Sequence, residues 1–93
     1  DMGWSDPGTL YAMKEALTNS EEANVEHGAV ITHESKDCFV YNEVDHQLVT
    51  TVGLDGIVVV NTPDSILVCH KDHVPKIKSL LNRVEEEGYG ERL

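Results

Sequence analysis

Short β-rich runs separated by turn residues are the feature that most limits how this chain can fold. The runs are rich in β-branched and apolar side chains and recur about every ten residues. Turn-forming pairs such as Asp55-Gly56 and Pro63-Asp64 lie between them. This spacing predicts an all-β unit and leaves a sandwich, a barrel and a β-helix open. The five runs are residues 29–32, 38–41, 48–52, 57–60 and 66–69.

A helix is predicted after the strand-rich region, over residues 72–87. Asp72 is its candidate N-cap, Pro75 lies in its first turn, and Gly88 supplies a stop. Basic side chains occupy the opposite face, so the helix is expected to pack through one apolar face only. The apolar stripe consists of Val74, Ile77, Leu80, Leu81 and Val84.

A second helix is predicted before the strands, over residues 10–17, and a polar connection over residues 20–28 follows it. Asp6 precedes Pro7 at the start of this helix, the pattern of an N-cap followed by proline at the first helical position. Asp6 can also be interpreted as a carboxylate that holds a metal or a substrate. A cap contributes about 1 kcal/mol, and the two roles are compatible because a carboxylate has two oxygens. Spacing alone favours the cap.

Composition narrows the classes of function. The 93 residues include 7 Lys+Arg against 17 Asp+Glu, a net charge of −10. The electrostatic basis for binding nucleic acids or anionic membranes is therefore missing, and neither partner is expected. No apolar run is longer than four residues, the length of residues 57–60, and this is too short to span a bilayer. Cys38 and Cys69 lie far apart and are expected to be buried reduced thiols rather than a disulfide, which indicates the cytoplasm.

No catalytic constellation stands out among the reactive side chains. The five histidines are scattered over predicted turns and strand ends, so they are expected at the surface. His70 and His73 have a spacing that can hold a metal on one helical turn, but they lie across a predicted strand–helix boundary. The chain contains neither a phosphate-binding glycine loop nor a G-x-S-x-G nucleophile motif. No catalytic residue is therefore predicted.

Several stretches resemble the C-terminal part of bacterial mannose-1-phosphate guanylyltransferases, also called GDP-mannose pyrophosphorylases. Residues 3–9, GWSDPGT, resemble the family motif G-W-S-D-x-G-[ST], with Pro7 where Val or Ile is expected. Residues 48–68, LVTTVGLDGIVVVNTPDSILV, are similar to the family stretch LVAtvGl-dlvVVdTpDalLV. Shorter similarities occur in residues 23–25, 28–30, 38–41 and 72–87. The resemblance covers nearly the whole chain.

This resemblance implies a fold and a domain boundary. Residues 1–19 are expected to close the nucleotidyltransferase domain, and residues 20–93 to form the C-terminal domain. That domain is expected to be mainly β, a short left-handed β-helix-like unit whose strands each pair in parallel with the next coil. The predicted N-terminal and C-terminal α-helices flank it.

The resemblance also implies a reaction, in which the full-length enzyme joins GTP and mannose 1-phosphate to give GDP-mannose and diphosphate with Mg²⁺. Asp6 matches the motif aspartate and is expected near the metal and the sugar phosphate, while Gly3 and Trp4 are expected to shape the edge of the sugar pocket. The GTP loop and the partner metal aspartate belong to the family's N-terminal catalytic domain. This chain alone is therefore expected to be inactive and to serve in structure and assembly.

Two alternatives and one assembly state complete these expectations. A nucleotidyltransferase for another sugar or base is a related enzyme interpretation, and residues 50–68 favour the mannose and GTP family over it. A stand-alone β-coil module for binding or oligomerisation has no need of the motif at residues 3–9, so that motif favours the enzyme fragment. A homodimer is also expected, with the N-terminal helix exchanged between copies as one possibility. Its basis is that an isolated coil domain exposes strand edges and apolar surface.

Overall fold

The computed structural model describes residues 4, 9, 11, 13–15 and 23–92. Thr9, Tyr11 and residues 13–15 are helical, in agreement with the helix predicted over residues 10–17. The remaining described residues form six strands, two short 3-10 helices and one α-helix. In chain order these are β1 (Val25–His27), β2 (Val30–His33), β3 (Phe39–Asn42), β4 (Val49–Val52), β5 (Ile57–Asn61), β6 (Ile66–His70), the 3-10 helix Lys71–Lys76, α1 (Ile77–Glu86) and the 3-10 helix Gly90–Arg92.

The strands pair across turns of a coil rather than with their immediate neighbours. β1 pairs in parallel with β3 and β3 with β5, while β2 pairs in parallel with β4 in a second sheet. The chain therefore alternates between the two sheets as it winds. This pairing confirms the predicted β-helix-like fold, because a hairpin-connected sandwich or barrel has antiparallel neighbours instead.

The last strand departs from the predicted parallel pairing. β6 runs antiparallel to β5, with Val60 opposite Leu67. The turn between them is tight, and the N–H of Thr62 donates to the carbonyl of Ser65 at 3.0 Å. A tight turn permits only antiparallel pairing, since a parallel partner needs a crossover of about a dozen residues or more.

β1 was missed by the sequence prediction, which placed residues 20–28 in a polar connection. Val25 is the one apolar residue in this three-residue strand, and Glu26 and His27 are exposed. Its pairing with β3 is supplied by the backbone, so the hydrophobic pattern carries no signal for it.

The central strands β3 and β5 are buried on both faces. Val40, Val58 and Val60 have no exposed surface, and burying a valine side chain contributes about 1.5–3 kcal/mol. One face of these strands packs in a hydrophobic cluster with side chains from both helical regions. The buried members of that cluster are Trp4, Met13, Phe39, Val58, Val60, Leu67 and Ile77.

Two stacked asparagines close the same corner of successive coils. Asn42 and Asn61 are paired in the β3–β5 register and buried. The side-chain amide of Asn61 donates to Oδ1 of Asn42 at 3.1 Å, and that of Asn42 donates to the carbonyls of Ala29 and Gln47 at 2.9 and 2.8 Å. These bonds satisfy buried polar groups at the point where the chain leaves the sheet.

The C-terminal helix begins differently from the prediction. Asp72 is not the N-cap: its N–H donates at 3.1 Å to Nδ1 of His70, which is the capping residue. The chain then forms a 3-10 helix containing Pro75, because a proline disfavours α conformation in the residue before it. The regular helix α1 therefore begins only at Ile77.

The end of α1 agrees with the prediction, and its packing face agrees in part. Gly88 has φ +92° and its N–H donates to the carbonyl of Glu85, while the N–H of Tyr89 donates to that of Val84 at 3.0 Å. This pair of bonds is a Schellman stop. Ile77 is buried as expected, whereas Leu80 is exposed, contrary to its place in the predicted stripe.

An ion pair ties the start of the 3-10 helix to the coil. Nζ of Lys71 contacts Oδ2 of Asp37, whose carboxylate is largely buried and whose backbone has φ +57°. The hydrogen bond to Asp37 raises the pKa of Lys71 above its ordinary value, and the negative charge of the same carboxylate adds to the effect.

Replacing Gly28 by alanine is expected to destabilise the coil by more than about 2 kcal/mol. A Cβ built on Gly28, which has φ +88°, lies 2.1 Å from the carbonyl oxygen of Asn42. Gly53→Ala is the matched control, since Gly53 has φ +67° but no atom within 4 Å of the added Cβ. It should cost only about 1–2 kcal/mol of left-handed strain. Urea unfolding measures both, and equal losses would contradict the steric account.

Replacing Asp37 by asparagine is expected to lower the melting temperature at neutral pH, because it removes the charged partner of Lys71 and still tolerates positive φ. A lysine whose pKa is higher in the folded state than its ordinary value of 10.5 stabilises the fold at pH values below 10.5. This stabilisation is lost as the pH rises through the folded-state pKa. The difference between the two proteins should therefore shrink at strongly alkaline pH. Thermal unfolding followed by circular dichroism across this range measures it.

The control for that series is Asp55→Asn. Asp55 lies 3.9 Å from Nζ of Lys36 in a pair that is exposed on both sides, and such pairs contribute little. Its charge also raises the pKa of Lys71, but less than Asp37 does, so a smaller loss is expected. An equal loss in both variants at neutral pH would show that the Asp37–Lys71 pair has no special weight.

Candidate functional site

Trp4 is the described member of the predicted substrate-binding motif. It is 4% exposed and belongs to the hydrophobic cluster that also contains Met13, Leu67 and Ile77. Its side chain therefore connects the start of the chain to the helix-covered face of the larger sheet. The sequence prediction placed Trp4 at the edge of a sugar pocket and did not foresee this packing.

Trp4 also borders a groove of about 360 Å³ between β6 and α1. The groove is mainly apolar, with Leu67, Val68 and Val84 among its walls and the exposed Tyr89 at its side. Nε1 of Trp4 is buried without a hydrogen-bond partner. The indole N–H is a donor that normally finds a partner when buried.

Gly3 and Asp6, the other predicted substrate-binding residues, lie outside the residues that the structure describes. The predictions of Asp6 as a metal ligand and as an N-cap fall outside them for the same reason. Thr9, which ends the motif, is described and is buried in the helical segment. The roles of Gly3, Trp4 and Asp6 therefore stay predictions.

A second, wider concavity of about 650 Å³ lies where β3 and β5 end. The carboxylates of Glu43, Asp45 and Asp64 and the imidazole of His46 line it, and Asn61 lies at its border. Its acidic lining matches the negative charge of the whole chain and disfavours phosphate-bearing ligands at this end of the coil. Sequence reasoning did not single it out, because its members come from two loops that only the 19-residue register of the coil brings together.

The two thiols are free, as predicted. Cys38 is buried, and its Sγ donates to the carbonyl of Lys36 at 3.3 Å. Cys69 is half-buried, and desolvation raises its pKa above the ordinary value. A raised pKa keeps the thiol protonated and therefore a weak nucleophile.

The histidines lie at the surface or partly exposed, in agreement with the prediction. His27 stacks on Tyr41 with ring centroids 4.5 Å apart, and His70 and His73 meet edge to face at 6.3 Å. Within the described part of the chain, no three His, Cys, Asp or Glu side chains converge in a way that could hold a metal ion. No helix in the same part is long and apolar enough to cross a bilayer.

Comparison with known proteins places this geometry in a family. The model of the MannoseP isomerase/GMP-like beta-helix domain matches residues 28–84. Mannose-1-phosphate guanylyltransferase ManC of Salmonella typhimurium is 38% identical over 88 residues, which are 95% of this chain and 18% of that protein. Alginate biosynthesis protein AlgA of Pseudomonas aeruginosa is 33% identical over 89 residues, 96% of this chain and 18% of that protein.

A solved structure is also similar to this chain. The crystal structure of a Thermus thermophilus protein, described as a mannose-1-phosphate geranyltransferase, superposes with a TM-score of 0.65 and 26% identity. The superposition covers 82% of this chain and 23% of that one. The chain thus spans less than a fifth of its curated relatives, at 18% of their length. Together with the parallel coil, these matches show that the chain belongs to the family of MannoseP isomerase/GMP-like β-helix domains.

Proposed function

We propose that this chain is part of a sugar nucleotidyltransferase that makes GDP-mannose and diphosphate from GTP and mannose 1-phosphate. The observation that carries the proposal is the 38% identity to a mannose-1-phosphate guanylyltransferase across 95% of the chain. The coil fold supports it, because a protein with a similar coil and a related description superposes on it. Residues 20–93 are proposed as the coil domain and residues 1–19 as the end of the nucleotidyltransferase domain.

In this proposal the coil contributes structure and assembly rather than chemistry. Neither thiol is activated, since Cys38 is buried and the pKa of Cys69 is raised. The acidic concavity at the coil end repels the phosphates of both substrates. The groups that bind GTP are therefore assigned to the catalytic domain, and this chain by itself is expected to be inactive.

The proposed link between the coil and the chemistry is the motif of residues 3–9. Trp4 is buried against the sheet and helix of the coil domain, two positions before Asp6. The packing of Trp4 is therefore proposed to position Gly3 and Asp6. Such positioning matters because a displacement of about 1 Å at a reacting group can lower the rate about 100-fold. Gly3 and Trp4 are proposed to border the sugar pocket.

Asp6 is proposed to hold Mg²⁺, and the support for this role is the match of residues 3–9 to the family motif. A bound divalent ion neutralises phosphate charge and orients the phosphates for in-line attack. The carboxylate of Asp6 is a hard oxygen ligand of the type that this ion prefers. Capping of the following helix by the second oxygen is compatible with that role.

A homodimer in the cytoplasm completes the proposal. Two free thiols support a reducing compartment. Exposed apolar side chains on the strands, among them Val52 and Val68, support association. Met13 is buried within its own chain, which favours a dimer through strand edges over one through exchanged helices.

The experiment uses the full-length parent enzyme and measures GDP-mannose formation from GTP and mannose 1-phosphate. Asp6→Asn is expected to lower the rate by about 100-fold or more, because it removes the negative charge with which Asp6 is proposed to hold Mg²⁺. Asparagine is as good an N-cap as aspartate, so the melting temperature should change little. Asp6→Ala should lose both the activity and the cap.

The outcomes separate the two roles of Asp6. An Asp6→Asn variant with full activity would reduce Asp6 to a helix cap. A parent enzyme that forms no GDP-mannose at all would overturn the proposed reaction and favour the stand-alone coil module.

A further inference from the structure

The side-chain amide of Asn61, at the end of β5, has an oxygen that accepts no hydrogen bond. Its nitrogen donates to Oδ1 of Asn42 at 3.1 Å and to Oε1 of Gln47 at 2.7 Å. Because both of these partners are acceptors, the atom that contacts them is the nitrogen and the other atom is the oxygen. Among the described residues, no donor reaches that oxygen, Oδ1 of Asn61.

The preceding turn of the coil shows which donors are missing. Oδ1 of Asn42 accepts from the N–H of Val44 at 3.0 Å and from the side-chain nitrogen of Asn61. Since Asn42 pairs with Asn61, the residue that corresponds to Val44 is Pro63, which has no N–H. The second donor would belong to a further turn, but the chain returns as the antiparallel strand β6 instead. Oδ1 of Asn61 thus lacks both of the donors that Oδ1 of Asn42 has.

This oxygen is reached from the concavity of about 650 Å³ at the ends of β3 and β5. Asn61 is 3% exposed and lines that concavity. Among the described side chains that are not exposed, the only nitrogen or oxygen shut off from solvent without a partner is Nε1 of Trp4. Oδ1 of Asn61 is therefore open to solvent, through the concavity that its side chain borders. A buried side chain thus presents an unused acceptor to this space.

Three carboxylates line the same concavity without a countercharge. They belong to Glu43, Asp45 and Asp64, and none of them forms an ion pair within the described part of the chain. Residues 37–70 contain no Lys or Arg, so neither of the two loops that form the walls can supply a positive charge. Carboxylates beside a free amide oxygen favour a ligand that carries both positive charge and N–H donors.

The arrangement of these groups favours a guanidinium group over a metal ion. In the described part of the chain, no three His, Cys, Asp or Glu side chains converge closely enough to hold an ion. A guanidinium group spreads five N–H donors over a plane, so it can reach acceptors that do not meet at one point. It is also more weakly hydrated than an ammonium group, which suits an acceptor on a buried side chain.

The walls favour an arginine within a peptide over the free amino acid. The acidic lining repels the carboxylate of free arginine, whereas in a peptide that carboxylate is an uncharged amide. Val44 and the exposed Ile66 add apolar wall, against which the methylene groups of an arginine side chain can pack. The volume of about 650 Å³ leaves room for the neighbouring peptide.

We propose that the concavity formed by residues 43–47 and 61–66 binds a peptide segment through the guanidinium group of an arginine side chain. Oδ1 of Asn61 accepts a hydrogen bond from this group, and the surrounding carboxylates balance its charge. The rest of the longer polypeptide and a separate protein are two sources of the same chemistry. The inference goes beyond the proposed reaction and does not depend on it.

Nuclear magnetic resonance titration of the 93-residue chain with a glycine–arginine–glycine peptide, capped at both ends, tests the proposal. The side-chain amide of Asn61 and the backbone amides around the concavity should shift and saturate. A peptide with citrulline in place of arginine has a similar shape but no charge, so it should bind at least about tenfold more weakly. A lysine peptide keeps the charge but not the planar fork and should also bind more weakly.

Pro63→Ala tests the acceptor. The change supplies an N–H where the preceding turn has that of Val44, so Oδ1 of Asn61 gains an internal donor and is lost to the peptide. Affinity should fall about tenfold, as expected for a lost hydrogen bond to a charged group. The new amide at position 63 should be protected from hydrogen exchange. Pro75→Ala is the matched control, since Pro75 lies in the 3-10 helix away from the concavity, and it should leave the affinity unchanged.

Asp64→Asn tests the charge of the concavity and serves if Pro63→Ala does not fold. It removes one carboxylate at nearly constant shape and should weaken binding about fivefold, with a smaller effect at high salt. Asp55→Asn is the matched control, because it changes the net charge equally but lies before β5, whereas Asp64 follows that strand. Circular dichroism shows whether each variant keeps its fold.

Several outcomes would overturn the proposal. These are a titration without saturable shifts at the concavity, equal affinity for the arginine and citrulline peptides, and equal weakening by Asp64→Asn and Asp55→Asn. Unchanged affinity in a Pro63→Ala chain whose new amide is protected would remove Asn61 from the site.

The same titration of the full-length enzyme distinguishes the two sources of the arginine. If the rest of the polypeptide supplies it, the concavity is already filled and the peptide should bind only the 93-residue chain. If a separate protein supplies it, the peptide should bind both. None of these readouts depends on GDP-mannose formation, so failure here and failure of the proposed reaction are distinguishable.

Discussion

Backbone hydrogen bonding between successive turns of the coil is the constraint on which the rest of this domain depends. From β2 onward each turn takes 19 residues, so Val30 lies beside Val49 in one sheet while Phe39 lies beside Val58 in the other. The first turn is shorter, since Val25 lies beside Phe39. The buried pair Asn42 and Asn61 holds the corner where this repeat is closed. A shift by one residue would move every side chain to the other face of its sheet, which makes the register strongly specified.

The same register explains why helical segments must cover one face of the larger sheet. β3 and β5 are apolar on both faces, and a coil this short can cover only the inner face with its second sheet. Trp4, Met13 and Ile77 cover the outer face. The burial of Trp4 ties this residue of the family motif to the coil, so the structural role and the proposed enzymatic role meet at one side chain.

The change of direction at β6 has a different consequence. A parallel strand can be followed by a further turn of the coil, whereas the antiparallel return of β6 is the last strand of the larger sheet among the described residues. Ile66 and Val68 are exposed on this strand, unlike Val59, which lies opposite Val68 and is buried. Parallel winding thus builds the domain, and among the described strands β6 alone runs antiparallel to its neighbour.

The sequence alone was sufficient for the strands with strong hydrophobic patterns and for the family. Residues 48–68 are long and specific, and the family they indicated is confirmed. The glycine stop at Gly88 was also predictable, because positive φ there favours glycine. Both are local properties of short stretches of chain.

Only the tertiary structure decided the rest. β1 has one apolar residue and is held by backbone bonds to β3, so no pattern announced it. Asp72 matched the composition of an N-cap, but the 3-10 start around Pro75 moved that role to His70. The sequence thus determined the strands with a strong apolar pattern and the family, since these follow from local pattern and similarity. The partners of the parallel strands arise from contacts between residues 14 or 19 positions apart, which no local pattern encodes.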